Sequence, residues 1–131
     1  MDTYNVSTGK TGLFEVTDMV NKSVSSSGIK EGLCVVYSPD TDAGIIVTAS
    51  GRDDIHEDIF EDFERIFPAH NKQNFKGDLD EASAHSKSAV AGVSLDIAIH
   101  DGKAVIGNGQ GVFIADYDGK KPEREFYVKC I

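Results

Sequence analysis

Two periods of hydrophobic and polar residues run through the chain, and together they predict its elements. Gly32-Leu-Cys-Val-Val-Tyr is a continuous apolar run and reads as a central strand. Ser38-Pro39-Asp40-Thr41-Asp42 interrupts it, and Ala43-Gly-Ile-Ile-Val-Thr resumes an extended pattern. From Ser94 to His100 the chain alternates, with Leu95, Ile97 and Ile99 against Asp96, Ala98 and His100. Asp101-Gly102 is then a two-residue hairpin signal, and Lys103–Ile106 is the returning strand. Val112–Tyr117 reads as a further strand after the glycine-rich corner Gly107–Gly111. Asp118-Gly119-Lys120 is a turn, and Glu125–Ile131 is a last strand, so the tail predicts a meander. Near the start, residues 4–8 and 13–16 flank Gly9-Lys10-Thr11-Gly12 and predict a hairpin.

The helical period appears three times. From Asp53 to Phe67, the residues Ile55, Ile59, Phe60, Phe63, Ile66 and Phe67 form one apolar stripe, with Asp53 and Asp54 at the positive end of the helix dipole and Pro68 closing the other end. A shorter helix is expected over 18–26, capped by Thr17-Asp18 and ended by Gly28. Ala82 or Ser83 opens a third, which carries His85 and Lys87, with Ala89, Val90 and Ala91 as its expected packed side. Residues 69–81 read as a loop, in which Asp78-x-Asp80-Glu81 lacks the alternating ligands, central Gly and distant Glu of a calcium loop.

At 131 residues the chain makes one domain, a size that buries roughly 65–70% of the surface exposed when unfolded. The formal net charge of −9 weighs against nucleic acid, whose binding rests on Lys and Arg contacts to phosphate. The acid gathers between Asp53 and Glu64 and predicts a solvated helix face, with an acidic docking surface as the alternative. No run reaches the ~18 apolar residues of a membrane span, and Met-Asp-Thr-Tyr-Asn lacks the pattern of a signal peptide. A cytoplasmic protein is therefore expected. Cys34 and Cys130 sit in apolar strands and are too few for a disulfide framework or a zinc motif, so small buried hydrophobes are expected.

Chemistry is sparse. Asp40, Thr41 and Asp42 lie at the joint of two buried strands, where they face a cleft or form an Asx-type turn. His85 and Lys87 stand among small residues, where backbones approach closely; such a His is either a hydrogen-bonded structural group or a ligand. His56 is expected on the solvent side of its helix. The glycines of 107–111 precede a strand rather than a helix, so they do not form a dinucleotide loop and instead predict a bend.

Ala84-His85-Ser86-Lys87…Gly92-Val93-Ser94, then Ile106-Gly107…Gln110-Gly111-Val112-Phe113, then Asp118-Gly119 and a closing strand, resemble the YjbQ-like family over essentially the whole chain. Phe14-Glu-Val-Thr-Asp, Gly28-Ile-Lys-Glu-Gly-Leu and the acidic helix ending in Pro68 fit the same pattern. The resemblance implies an α+β domain, with a mixed, mostly antiparallel sheet curled into a barrel or sandwich and two main helices. It also implies a homotrimer with a histidine-lined polar pocket near the subunit boundary, a divalent metal there, and a secondary thiamine-phosphate-synthase-type activity joining a hydroxymethylpyrimidine diphosphate to a thiazole phosphate.

The carry-over is incomplete. Where the family has His-Thr-Thr or His-Thr-Ser followed by Ala, this chain has Asp40-Thr41-Asp42-Ala43; Thr48-Ala49 replaces an Asn-Glu pair. Phe75-Lys76-Gly77 replaces Tyr-x-His, Glu81 an Asn, Ser83 an Asp, Gly109 a Trp and Asp116 a Glu. Pro122 and Arg124 stand for a closing Arg-x-Arg, and His85 is the one histidine retained of three.

A metal set of His85, Asp40, Asp42 and Glu81 is oxygen-rich and favours magnesium or manganese over zinc. Surviving activity would displace pyrophosphate with cationic help from Lys87, Arg124 and the metal, with Gln110 orienting a small phosphate substrate and His85 as acid, base or ligand, beside Asp40 and Thr41. The alternative is a trimeric ligand-binding or interaction protein that has lost the reaction.

Overall fold

A computed structural model describes residues 1–69 and 74–131, apart from the side chains of Leu79 and Asp80. Among the described residues, eight strands and three helices follow in the order β1 (Asp2–Ser7), β2 (Gly12–Glu15), α1 (Thr17–Ser27), β3 (Gly32–Tyr37), β4 (Ala43–Ala49), α2 (Asp53–Ile66), α3 (Leu79–Ala91), β5 (Ser94–His100), β6 (Lys103–Ala104), β7 (Gln110–Asp116) and β8 (Glu123–Cys130). The strands form a five-stranded sheet, β1-β8-β3-β5-β6, and a three-stranded sheet, β2-β7-β4, with every pairing antiparallel. The α+β class and the antiparallel sheets curled into a sandwich are as expected, with three helices rather than two main ones.

The main core lies between the sheets, with α1 closing one side. Val20 and Val24 of α1 meet Cys34, Val36, Ile97, Ile99, Phe126 and Val128 of the larger sheet and Ile45, Val112 and Ile114 of the smaller. A second cluster covers the other face of the smaller sheet, where Phe60 and Phe63 of α2 and Ala84 and Ala91 of α3 pack on Ala115 and Tyr117. β7 is therefore buried on both faces from Gly111 to Asp116, which accounts for its unbroken apolar run.

Long-range pairing overrides local pattern at several points. The two N-terminal strands are not a hairpin: β1 pairs with β8 and β2 with β7. Gly9 and Gly12, both at positive φ, bend the chain so that β1 joins the larger sheet and β2 the smaller. The tail is not a meander either. β5 and β6 form the expected hairpin, with Asp101 at φ 50° and Gly102 at φ 76°, but β7 crosses to the smaller sheet and β8 returns to the larger. At α1 the cap is Val16 and no side chain caps it; the Thr17 hydroxyl instead accepts the Val112 N–H at 3.0 Å, stitching the helix to β7. Gly28 ends that helix in the left-handed region at φ 70°, as expected.

The helices over the smaller sheet also depart from expectation. Ile66 is 63% exposed, because α2 meets the sheet through the rings of Phe60 and Phe63, 5.9 and 5.8 Å from that of Tyr117. His56 is half-buried: its Nε2 donates to the Ala49 carbonyl at 2.6 Å and its ring stands edge-on to Phe113. α3 starts at Leu79, and its packed side is Ala84, Lys87, Ser88 and the half-buried Ala91, whereas Val90 is 70% exposed. The helical spacing of the small and polar residues decides this face, not the contiguous apolar trio. The loop expected over 69–81 lies partly outside the described residues, as does the Asp80 carboxylate of its calcium-like spacing.

α3 approaches the sheet this closely because Gly44 has no side chain: a Cβ there would stand 2.3 Å from the Gly92 carbonyl oxygen. Gly44→Ala should lower the unfolding free energy by about 1–3 kcal/mol, the usual cost of overpacking, as read from urea denaturation.

Candidate functional site

Two strands and the link between two others converge on one buried cation. Arg124 shares the inward face of β8 with Phe126 and Val128, and Asp116 shares the inward face of β7 with Val112 and Ile114. Asp42 stands immediately before β4, and Asp40 lies in the link from β3. Arg124 is 1% exposed and Asp116 wholly buried. The guanidinium donates from Nε and Nη2 to the two oxygens of Asp116 at 3.0 and 3.0 Å, and from Nη1 to Asp42 Oδ1 at 2.7 Å. Asp40 Oδ2 lies 3.3 Å from the same Nη1, and Asp40 Oδ1 lies 3.6 Å from Lys121 Nζ. Asp116 also accepts the backbone N–H groups of Asp118 and Gly119 at 3.1 and 2.8 Å.

Burial alone would ease the proton off Arg124, but the hydrogen bonds and charges of Asp116 and Asp42 outweigh it and hold the guanidinium above its ordinary range. Burial likewise opposes ionisation of Asp42; Arg124, with help from Lys121, overcomes it and keeps the carboxyl below its usual value. Asp118 differs. Its Oδ1 is buried without a hydrogen-bond partner among the described residues, the Lys120 ammonium is 3.8 Å away, and burial pushes the carboxyl up.

His85 stands next to this cluster. Its Nδ1 donates to the Thr41 carbonyl at 2.9 Å, which fixes the ring and leaves Nε2 facing Glu81, 3.8 Å from Oε1. The link 38–42 thus touches Arg124 through Asp40 and Asp42 and His85 through the backbone of Thr41. Asp40, Thr41, Asp42, Glu81, His85 and Arg124 are brought to one region of the fold.

Lys87 and Gln110 are not. Two positions along a helix turn a side chain by roughly 200°, so Lys87 faces α2, where its ammonium is bonded to Glu64. It lines a cavity of about 410 Å³ with Thr11, Phe60 and Tyr117. Gln110 begins β7 whereas Asp116 ends it, so the two lie on the order of 20 Å apart. The Gln110 side-chain oxygen accepts the Gly107 N–H at 2.7 Å, closing the glycine-rich corner.

The expected metal set does not fit a metal within one chain. Asp42 and Asp40 are turned onto Arg124 and Lys121, which leaves His85 Nε2 and Glu81. Among the described residues, the group of three potential ligand atoms within 4.8 Å of one another is Glu31, His100 and Asp101, all exposed. There the two nitrogens of His100 each take one carboxylate, at 2.7 and 3.4 Å, so the ring is spanned between them rather than opened towards a common point.

Asp116 and Asp118 were not among the site residues expected from sequence. The signal for Asp116 was present: an Asp and an Arg occupy inward positions of otherwise apolar strands, and a buried charge in that register requires a partner.

Removing the cation alone should be costly. Arg124→Met should lose about 3–5 kcal/mol at pH 7, the cost of stranding buried carboxylates, and recover part of that near pH 4 as Asp42 takes up a proton; urea denaturation at the two pH values reads both. Asp118→Asn should act in the opposite direction. An ionised Asp118 disfavours the folded chain above its raised folded pKa, and the penalty fades as pH falls through that value towards the ordinary 3.8. The variant should therefore gain on the order of 1 kcal/mol at pH 7, a gain absent below the ordinary value in thermal melts across pH.

Comparison with known proteins agrees with the fold and with the family pattern. Residues 2–131 match the family model described as UPF0047 protein YjbQ-like. A UPF0047 protein of Methanocaldococcus jannaschii is 36% identical over 130 residues, covering 98% of this chain and 91% of that one. The UPF0047 protein YugU of Bacillus subtilis is 26% identical over 121 residues, covering 91% and 89%. Among solved structures, a YjbQ/UPF0047 protein of Clostridium acetobutylicum superposes with a TM-score of 0.90 at 30% identity, covering 100% of both chains. A YbjQ-like protein of unknown function from Sulfolobus solfataricus gives a TM-score of 0.87 at 27% identity, covering 98% and 94%. With its family model matched across nearly every residue and its two-sheet fold shared from end to end, the chain belongs to the UPF0047, YjbQ-like family.

Proposed function

We propose that this chain is a small-ligand-binding homotrimer of the YjbQ-like family that does not carry out the thiamine-phosphate-synthase-type transfer. The observation that carries this reading is the state of Arg124. Displacing pyrophosphate at a methylene carbon needs uncommitted positive charge beside the leaving oxygens, and Arg124 is committed to Asp116, Asp42 and Asp40. Lys87 is bonded to Glu64 on the other side of the smaller sheet and lends no charge there.

The remaining charge around the site is acidic: Asp40, Asp42, Glu81, Asp116 and Asp118 against Arg124, Lys120 and Lys121. Such a field repels a diphosphate and suits a ligand that brings positive charge or hydrogen-bond donors. His85, held by Thr41 with Nε2 outermost, then serves as an acceptor for that ligand rather than as an acid or base in a transfer.

The test is pyrophosphate release from a hydroxymethylpyrimidine diphosphate and a thiazole phosphate, with and without magnesium or manganese. Release no faster than the protein-free control is expected. Release above it that disappears in a folded His85→Ala variant would establish the transferase reading instead.

A further inference from the structure

Cys34 and Cys130 are far apart in the sequence but stand directly opposite each other in the register of β3 and β8. The class of that pair follows from its neighbours. Leu33 and Ile131 exchange both backbone hydrogen bonds, each at 2.8 Å, so the adjacent pair, Cys34–Cys130, is a non-hydrogen-bonded pair. Such pairs hold their Cα atoms about 4.5 Å apart with side chains at closest approach, inside the roughly 4.4–6.8 Å that a disulfide spans. Both side chains point inward, Cys34 with Val36 and Cys130 with Phe126 and Val128, and both pack in the main core. Both thiols are free.

The two differ in access. Cys34 is wholly buried. Cys130 is half-buried and borders a cavity of about 180 Å³ whose wall includes Asp2, Ser23, Ser26 and Ser27. That volume admits several water-sized molecules, each of about 30 Å³, and therefore a peroxide. Burial, and then the charge and hydrogen bond of Cys130 beside it, push the Cys34 thiol up to about 12. Cys34 thus keeps its proton at neutral pH and presents it to the Cys130 sulfur.

We propose that Cys34 and Cys130 are a redox modification site that closes to a reversible cross-strand disulfide, with Cys130 meeting a hydroperoxide and Cys34 resolving it. The Cys130 thiolate attacks one peroxide oxygen, the O–O bond breaks, and the sulfur becomes a sulfenic acid as hydroxide leaves, with hydrogen peroxide reduced by two electrons. Cys34 sulfur then attacks the Cys130 sulfur; the S–O bond breaks, the Cys34 proton passes to the departing oxygen, and water leaves. The product bridges two neighbouring strands of the larger sheet and encloses residues 34–130, about three-quarters of the chain, in one loop. Closing so long a loop constrains the unfolded chain and stabilises the folded one. The site is independent of the proposed ligand-binding role.

The experiment treats the full chain, under native conditions, with a small excess of hydrogen peroxide, then denatures it in N-ethylmaleimide for mass mapping. Expected are a mass loss of about 2 Da without alkylation at either cysteine, a linked peptide pair containing Cys34 and Cys130, a higher melting temperature, and full reversal by dithiothreitol. In Cys130→Ser, Cys34 should remain alkylatable at the same peroxide dose. Three results would each overturn the proposal: both thiols of the wild-type chain remaining alkylatable, Cys130 accumulating as sulfinic acid beside an alkylated Cys34, or a disulfide that links two chains.

Discussion

The buried guanidinium of Arg124 is the constraint on which the polar end of this fold depends. It sits on the larger sheet and binds the last residue of β7 and the residue before β4 on the smaller one, so the two sheets are held together by charge where the apolar core ends. Taking such a cation out of water costs several kcal/mol per ion and is offset only when its donors are well matched. Asp116 answers with both oxygens in the fork geometry that suits a guanidinium, and Asp42 and Asp40 take the remaining side. The backbone N–H groups of Asp118 and Gly119 then hold Asp116 in place.

This arrangement also sets the chemical character of the site. A cation so enclosed is no longer available to an anionic ligand, and the carboxylates that enclose it are no longer available to a metal. The face left to solvent carries one fixed imidazole nitrogen beside Glu81 and the exposed ammonium groups of Lys120 and Lys121. The same residue types, distributed differently, would make a phosphate-binding or metal-binding pocket. What decides between these is how the side chains are paired, and pairing is a property of the assembled sheets.

The second organising element is β7, which forms the centre of the smaller sheet and serves two cores at once. Its inward residues meet α1 and the larger sheet, while Ala115 and Tyr117 receive α2 and α3. The small surface of Ala84 and Ser88 lets α3 lie close enough for the Ser88 hydroxyl to donate to the Ala43 carbonyl at 2.6 Å. That contact sets α3 against the link 38–42, and His85 follows from it. Lys87, on the same packed side, is tolerated there because Glu64 of α2 reaches its ammonium.

Much of the fold was legible in the sequence. β3, β4, β5 and its hairpin, α2 and the end of α1 at Gly28 follow from local pattern and turn chemistry, because each depends on residues within a few positions of one another. The family pattern was also legible, as were the residues of the link 38–42 and His85. The partners of strands were not. β1 and β2 look like a hairpin until β8 and β7 compete for them, and β8 returns to the first sheet although β7 precedes it on the second. Nor could local pattern reveal that Arg124 would be spent on Asp116, that Lys87 would turn away from His85, or that Cys34 would face Cys130. Local periodicity assigns a residue to a face; only pairing between distant strands decides which charge or thiol stands opposite it, because that contact exists only once the sheets have assembled.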